Sequence, residues 1–360
     1  MQAVPGKRGK PSRKIRLEDI AARCGVSLST VSRALAGEKG VRAEIRDQVA
    51  EMAKSMNYAI PASVAGTKVI LAASSVAMID YVRNQFTAKV LEGLYQRAET
   101  MGVEIITLPV NDAASGIGAL REALADDTVA GFLFLTLDDD DALALTRDFG
   151  KPVVLVNGDD PLMRLSSVTP CNRSATRMGT EYLQQLGHER ILFLMRRGRR
   201  TIERRFEGWR DAVSQRGATD IQDLVIEVDD WLPDLATAAI SERIRQRGLD
   251  FTAVLTAGES LAAGAIIGVQ KAGFSVPDDV SVMGMDDLPQ AVFCNPPMTA
   301  IHVPMREIGE AALDLLFGSI SAGPGPARRV ELACHIVERK STGPVRKMEM
   351  PDMTSLLKNI

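Results

Sequence analysis

Leu28, Ser29, Ser32 and Arg33 fall on one face of a short predicted helix whose other face carries Val31, Ala34 and Leu35. Side chains that can donate to or accept from their surroundings, grouped at the start of a helix, are suited to the hydrogen-bonding edges of bases. A helix-turn-helix presents the N-terminal outward residues of its second helix to the major groove in this way. Ser27 stands in front of this helix as a good N-cap.

The elements that must position this face are legible around it. Leu17, Ile20, Ala21 and Cys24 recur at i, i+3, i+4 and i+7, the spacing that lines one side of a first helix. Gly25 follows where a helix usually ends, since a left-handed cap costs glycine no Cβ clash. Val26 can plug the core between the helices. A third amphipathic helix carries Ile45, Val49, Met52, Ala53 and Met56. It ends near Asn57-Tyr58, with Pro61 stopping its continuation. Such a unit of about 45 residues is near the size at which a lone core is marginal.

Charge is unevenly distributed. The 360 residues sum to a net −3, but residues 1–58 hold twelve Lys and Arg against six Asp and Glu. A cationic head on an acidic body fits a protein that meets phosphates at its N-terminus alone. Residues 1–14 form a basic arm with Lys7, Arg8, Lys10, Arg13 and Lys14. It tracks a groove or phosphates on one reading and is a solvated tail on the other. No apolar signal segment and no bilayer-length apolar run is present, which points to a cytoplasmic chain that does not enter membranes. Cys24, Cys171, Cys294 and Cys334 are isolated in sequence and read as reduced thiols.

From Lys68 onward, short apolar runs alternate with amphipathic stretches. Strands are expected at Val69–Ala73, Glu104–Leu108, Gly131–Leu135, Val153–Val156, Ile191–Met195, Val225–Val228, Ala253–Thr256 and Val280–Gly284. Helices are expected near 84–101, 115–125, 139–148, 173–187, 203–216, 235–247 and 259–272. The alternation implies right-handed βαβ units and parallel sheets covered on both faces, in one large sheet or two smaller ones. Asp159–Val168 and Asn295-Pro296-Pro297 are expected to be crossings between two lobes. The cleft would then lie at the strand C-termini.

Catalytic chemistry has little to rest on. There is no phosphate-cradling G-x-x-x-x-G-K-[ST], no nucleophile elbow, and Gly116-Ile117-Gly118 lacks a third glycine. His188, His302 and His335 are dispersed and make no metal constellation. The run Asp138–Asp141 opens a predicted helix, where carboxylates favour the positive dipole end over a metal. No cofactor is implied.

The chain resembles the LacI/GalR family of transcription regulators from about Ile15 to Thr342. The resemblance is carried by GVSLSTVSRAL and then Asn57-Tyr58 in the head. In the body it is carried by Leu186-Gly187-His188, Arg205-x-x-Gly208-Trp209, Val282-Met283-Gly284-Met285-Asp286-Asp287 and Pro296–Ile301, closing on Glu338–Thr342. It implies an α/β fold class: a three-helix helix-turn-helix head over residues 15–58, a hinge linker over 59–67, and a two-lobed periplasmic-binding-protein-like body with parallel sheets over 68–342. The lobes would comprise about 68–163 with 296–329, and 164–295 with 330–342, leaving 343–360 as a tail. It also implies a homodimer reading a pseudo-palindromic operator in double-stranded DNA, and a small polar effector in the cleft, of sugar, polyol or sugar-acid class. A repressor is the expected role.

The resemblance makes Leu28 and Ser29 the main base readers, with Arg33 as a further contact. Arg33 donates bidentately to a guanine edge on one reading, and meets phosphate or solvent on the other. Thr30 and Ser32 are cap and phosphate contacts. For the effector it implies Arg205, Asp286 and Asn157 as polar contacts and Ser74 and Ser75 as donors from the other lobe. Trp231 is a stacking face or lobe core. A buried ion pair is the structural alternative for Arg205 and Asp286.

Several positions depart from the pattern. Gly258-Glu259 stands where the family commonly has Asn-Asp, and Cys171-Asn172 where it has Asp-Asn. Arg16 and Arg42 replace helix caps, each loss costing about 1 kcal/mol unless the arginines grip phosphates. The hinge AIPASVA lacks the family's leucine wedge, leaving Val64 as its apolar candidate, so weaker DNA kinking is expected. Phe86, Val90, Leu94 and Ala98 could pack inward or across a two-fold axis. The competing readings are a sugar-binding transport-type protein and an α/β enzyme with a fused DNA-binding head. Absence of a signal peptide disfavours the first, and absence of a phosphate loop the second.

Overall fold

The computed structural model describes residues 17–35, 41–56, 66–74, 85–110, 113–137, 143–144, 146, 149–218, 220–323 and 325–346. The basic arm, Asn57-Tyr58, Val64 with most of the hinge, Ser75 and the run Asp138–Asp141 lie outside these residues, as does most of the helix expected at 139–148. Ser32 and Leu35 are described by their backbone.

Three helices make the head: α1 (Leu17–Cys24), α2 (Leu28–Leu35) and α3 (Ala43–Ser55). Gly25 takes φ +68°, and the Val26 N–H donates to Ala21 O at 3.2 Å, closing α1 with a Schellman-type bond. Ile20, Ala21, Cys24, Val31, Ala34, Val49 and Ala53 are buried in one cluster, with Val26, Ile45, Met52 and Met56 packed around it. The apolar spacing thus builds the mini-core it implies.

The body opens with β1 (Lys68–Ser74), α4 (Gln85–Met101), β2 (Glu104–Val110), α5 (Ala113–Ala125), β3 (Val129–Leu135), β4 (Val153–Val156) and β5 (Ser166–Pro170). It continues through α6 (Asn172–Gln185), β6 (Ile191–Met195), α7 (Arg200–Gln215), β7 (Val225–Glu227), α8 (Pro233–Arg247), β8 (Ala253–Thr256), α9 (Glu259–Lys271) and β9 (Ser281–Asp286). It closes with β10 (Thr299–His302), α10 (Met305–Ala322), β11 (Arg329–Leu332) and β12 (His335–Val337). Two six-stranded sheets result, in the orders β11-β5-β4-β3-β1-β2 and β12-β10-β9-β8-β6-β7. Among the described residues all pairings are parallel except β10 with β12. In the first sheet Val69, Leu71, Ala73, Leu133 and Leu135 join one core, and Ile70, Ala72, Phe132 and Phe134 another. Alternate side chains are therefore buried on opposite faces, as a sheet sandwiched by helices requires.

The lobe limits differ from those expected. Ser166–Pro170 stays in the first sheet, paired with β4 and β11, and Thr299–His302 stays in the second, paired with β9 and β12. The chain crosses between lobes at residues 170–172, 302–305 and 332–335. The first lobe is thus 66–170 with 305–332, and the second 172–302 with 335–346. Asp159–Val168 and Asn295–Pro297 are not crossings: the first runs into β5 and the second leads to β10, and each of these strands pairs with the strand before it in the same sheet. Residues 343–346 also belong to the second lobe, since the Val345 N–H donates to Leu186 O at 3.0 Å and the Gly343 N–H to Ser281 Oγ at 3.0 Å. In α4, Val90, Leu94 and Ala98 are buried in the body core, so that stripe faces inward.

Candidate effector cleft and nucleic-acid interface

At the head, Ser27 caps α2: the Thr30 N–H donates to Ser27 Oγ at 3.1 Å, and this hydroxyl lies 2.8 Å from both Ser29 Oγ and Thr30 Oγ1. Leu28 is 47 % exposed, and Ser27, Ser29 and Arg33 are exposed beside it, while Val31 and Ala34 are buried. Arg42 is exposed directly before α3. A solvent-facing isobutyl group at the first position of a well-capped helix has no packing role within the head.

The second site lies at the carboxyl edges of the two sheets. Register aligns Ala73, Leu135 and Val156, so Ser74, Thr136 and Asn157 follow side by side at the end of the first sheet. Asn157 is buried with φ +51°, and its Oδ1 has no hydrogen-bond partner. Ser74 is half-buried. In the second sheet, Asp286 ends β9 and the Thr256–Gly258 turn leads from β8 into α9. The Arg199 guanidinium, just before α7, donates to the Asn157 carbonyl oxygen, so the two edges face each other.

Arg205 is held from several sides. Its Nε donates to Asn172 Oδ1 at 2.8 Å, and its Nη1 donates to Ala257 O at 2.5 Å and lies 3.4 Å from Asp286 Oδ1. Behind it, α7 is fixed by Thr176 Oγ1, which donates to Arg205 O at 2.7 Å, and by Trp209, stacked on Phe193 in the core. Burial lowers the Arg205 pKa and raises that of Asp286, and mutual attraction opposes both changes. Arginine stays charged under such burial.

Trp231 is half-buried in the segment before α8, and the fit to its neighbour is close. A Cβ at Gly258 would lie 2.9 Å from the Trp231 ring and 3.8 Å from Asp286 Oδ2. Glycine in place of an amide residue therefore lets the indole move in beside the Asp286 carboxylate. Glu259 is buried at the start of α9, where its Oε2 accepts from the Leu288 N–H at 2.5 Å and its Oε1 has no partner. Burial, with Asp286 and Asp287 nearby, pushes its carboxyl up to about 8.

The structure thus brings Asn157, Arg205, Trp231 and Asp286 to the facing sheet edges, with Ser74 at the same edge as Asn157. Several residues were not legible as site residues. Arg204 Nε donates to Asp159 Oδ2 at 3.1 Å across the lobes, and Arg329 also reaches Asp159. Asn172 and Arg199 orient Arg205 and Asn157. Their contacts join positions tens of residues apart; the clustering of arginines at 199, 200, 204 and 205 was the available signal.

Comparison with known proteins agrees with this architecture. Residues 16–60 match the bacterial regulatory proteins of the lacI family, and residues 180–342 match a periplasmic binding protein-like domain. The chain is 31 % identical over 341 residues to the transcriptional regulator MalR of Streptomyces coelicolor, covering 91 % of this chain and 96 % of that one. A CelR transcriptional regulator in complex with cellobiose superposes with a TM-score of 0.69 at 28 % identity, covering 91 % of this chain and 99 % of that one. The lac repressor dimer bound to operator and the anti-inducer ONPF gives a TM-score of 0.68 at 25 % identity, covering 92 % and 100 %. With head, crossovers and both lobes matched along nearly its whole length, this chain belongs to the LacI family of bacterial transcriptional regulators.

Proposed function

We propose that this chain is a transcriptional repressor that binds operator DNA as a homodimer and releases or tightens its hold when a sugar-class effector enters the interlobe cleft. The observation that carries the reading is the buried Arg205–Asp286 pair, set opposite the unsatisfied Asn157 amide oxygen and beside the Trp231 ring. Hydroxyl groups can donate to Asp286 and Asn157 and accept from Arg205, while an indole suits the apolar face of a pyranose. Cellobiose in the CelR complex supports the sugar class within the wider group of sugars, polyols and sugar acids.

In the head, Leu28 and Ser29 read base edges, Arg33 adds a guanine or phosphate contact, and Ser27, Thr30, Ser32 and Arg42 hold the backbone. Val64 supplies the apolar hinge contact in the minor groove, with weaker kinking than a leucine pair gives. Ser75 joins Ser74 in donating to the effector from the first lobe. A dimer seam is favoured along α9 and the Pro289–Phe293 turn after β9, where Ile267 is 42 % exposed and Phe293 83 % exposed. Gln270 Nε2 ties these two segments together through Asn295 O at 2.8 Å. Among the described residues no helix is long and apolar enough to cross a membrane. We place the protein in the cytoplasm, where both DNA and effector are available.

The experiment is a thermal-shift screen of sugars, polyols and sugar acids on the full chain. At least one should raise the melting temperature of the wild type and leave Asp286→Asn unmoved. A ligand that stabilises both proteins equally would place the effector elsewhere.

A further inference from the structure

Cys171 and Cys334 are 163 positions apart, yet the Cys334 N–H points at Cys171 Sγ from 3.4 Å. Each sits on a crossing between the lobes: Cys171 links β5 to α6, and Cys334 links β11 to β12. The two crossings are laced together, since β5 and β11 are paired up to Pro170 and Leu332 and the Cys171 N–H donates to Leu332 O at 2.9 Å. Both thiols are half-buried and neither is in a disulfide. The Cys171 sulfur is thus held against the main chain of Cys334, and a disulfide would bring the two sulfurs to about 2.05 Å.

The surroundings divide the two roles. The hydrogen bonds that Cys334 directs at Cys171 Sγ lower the Cys171 thiol from its ordinary value and favour the thiolate on that sulfur. Cys334 is held up by the side-chain bond between them and by burial, and keeps its proton. Cys294 is pushed up by burial, and Cys24 is buried in the head core. A thiol favoured as thiolate beside a second, resolving thiol is an arrangement common among peroxide-sensing cysteines.

We propose that Cys171 and Cys334 form a reversible disulfide on exposure to a hydroperoxide, and that this link fastens two of the three interlobe crossings. The Cys171 thiolate attacks the outer oxygen of the hydroperoxide. The O–O bond breaks, Cys171 becomes a sulfenic acid, and the remaining alkoxide or hydroxide takes up the proton that the Cys171 thiol gave to solvent and leaves as alcohol or water. The Cys334 sulfur then attacks the Cys171 sulfur, the S–O bond breaks, and hydroxide takes the Cys334 proton as water. Two thiols lose two electrons and two protons, and the peroxide is reduced by the same two electrons.

The link also bears on the cleft. Asn172, directly after Cys171, accepts from Arg205 Nε. Movement at Cys171 therefore shifts the acceptor that orients the effector arginine. This regulatory consequence rests on the proposed effector cleft, whereas the thiol chemistry stands without it.

The test uses the reduced 360-residue chain, hydrogen peroxide as the probe, alkylation of remaining thiols, and digestion without reductant. The expected product is one cross-linked peptide pair holding Cys171 and Cys334, lighter by two hydrogens and reopened by dithiothreitol, with Cys24 and Cys294 still alkylated. Cys334→Ser should accumulate a dimedone-reactive Cys171 and no cross-link. Hydrogen exchange in residues 171–174 and 330–336 should slow severalfold in the oxidised protein. A different pairing, or Cys171 oxidation in Cys334→Ser no faster than that of Cys294, overturns the disulfide. Unchanged exchange in a fully cross-linked sample overturns its action on the crossings. Each outcome is independent of whether any sugar binds.

Discussion

Arg204 in the second lobe and Asp159 in the first form an ion pair at 3.1 Å that spans the cleft. Asp159 is nearly buried and also accepts from Arg329 of its own lobe, so its carboxylate fixes one end of the contact. The pair favours the lobe arrangement in which the Arg199 guanidinium meets Asn157. A ligand acts on the head through the difference in its affinity for this arrangement and a more open one. Arg204→Ala should therefore weaken effector binding severalfold with little change in apo-protein DNA affinity. A double-mutant cycle with Asp159→Asn, read by calorimetric titration of the effector, should give a coupling of about 1 kcal/mol, the scale of a partly exposed pair. No coupling would mean the pair does not hold the lobes.

Removing Arg205 exposes the cost of burying Asp286. With alanine at 205 the Asp286 carboxylate loses its charge partner, and such losses cost about 3–5 kcal/mol. Urea unfolding of Arg205→Ala should show a loss of that size, together with loss of the effector response. Operator binding by the apo form should persist at temperatures where the variant is folded. Loss of DNA binding in the folded variant would make Arg205 a structural residue alone.

Glu259 sets a pH dependence whose direction follows from burial. Its carboxyl titrates near 8 in the folded chain against an ordinary 4.5, so the folded state holds a proton that the unfolded state releases between these values. Its contribution to stability is full below about pH 4.5 and is lost as pH rises through about 8. Since a tenfold change in an ionisation constant is worth about 1.4 kcal/mol, the loss is on the order of a few kcal/mol. Glu259→Gln should flatten this dependence when urea midpoints are compared between pH 5.5 and 8.5, taken as roughly bracketing the transition. A constant gap between the two proteins over that range would contradict the assignment.

The head separates folding from reading. Ser27→Ala removes the cap that accepts from the Thr30 N–H and should cost about 1 kcal/mol of head stability. Arg33→Ala should instead relax specificity at one operator position by about 1–3 kcal/mol if the guanidinium reads a base. A uniform loss over all sequences, with a shallower salt dependence, would mark it as a phosphate contact. Competition binding with single-base operator variants distinguishes the two.

What the sequence makes legible follows the range of the interactions involved. The head is local: Ile20, Val31 and Val49 each belong to an apolar set spaced along its own helix, and Gly25 marks the turn. β4, β6 and β8 are fully buried runs bounded by polar residues, so their ends are plain. Ser166–Pro170, Thr299–His302 and the two strands after α10 are short or polar, and exist because distant partners complete their hydrogen bonds. That is why the lobe limits shift. Arg205 and Asp286 are visible through motifs; Asp159, Arg199 and Arg204 become site residues only when the two sheet edges face each other. Cys171 and Cys334 look isolated because their proximity is made by the pairing of β5 with β11.

Operator affinity measured with and without effector bears most directly on the assignment. Fluorescence anisotropy of the full chain on a DNA site selected from random sequence, titrated with the sugars found in the thermal screen, gives that quantity. A sugar should change the operator Kd of the wild type about tenfold or more, within the usual span of allosteric coupling, and should leave the Kd of Asp286→Asn unchanged. No sugar effect on the wild type, or an equal effect on both proteins, would contradict control of the reading head from the Arg205–Asp286 cleft.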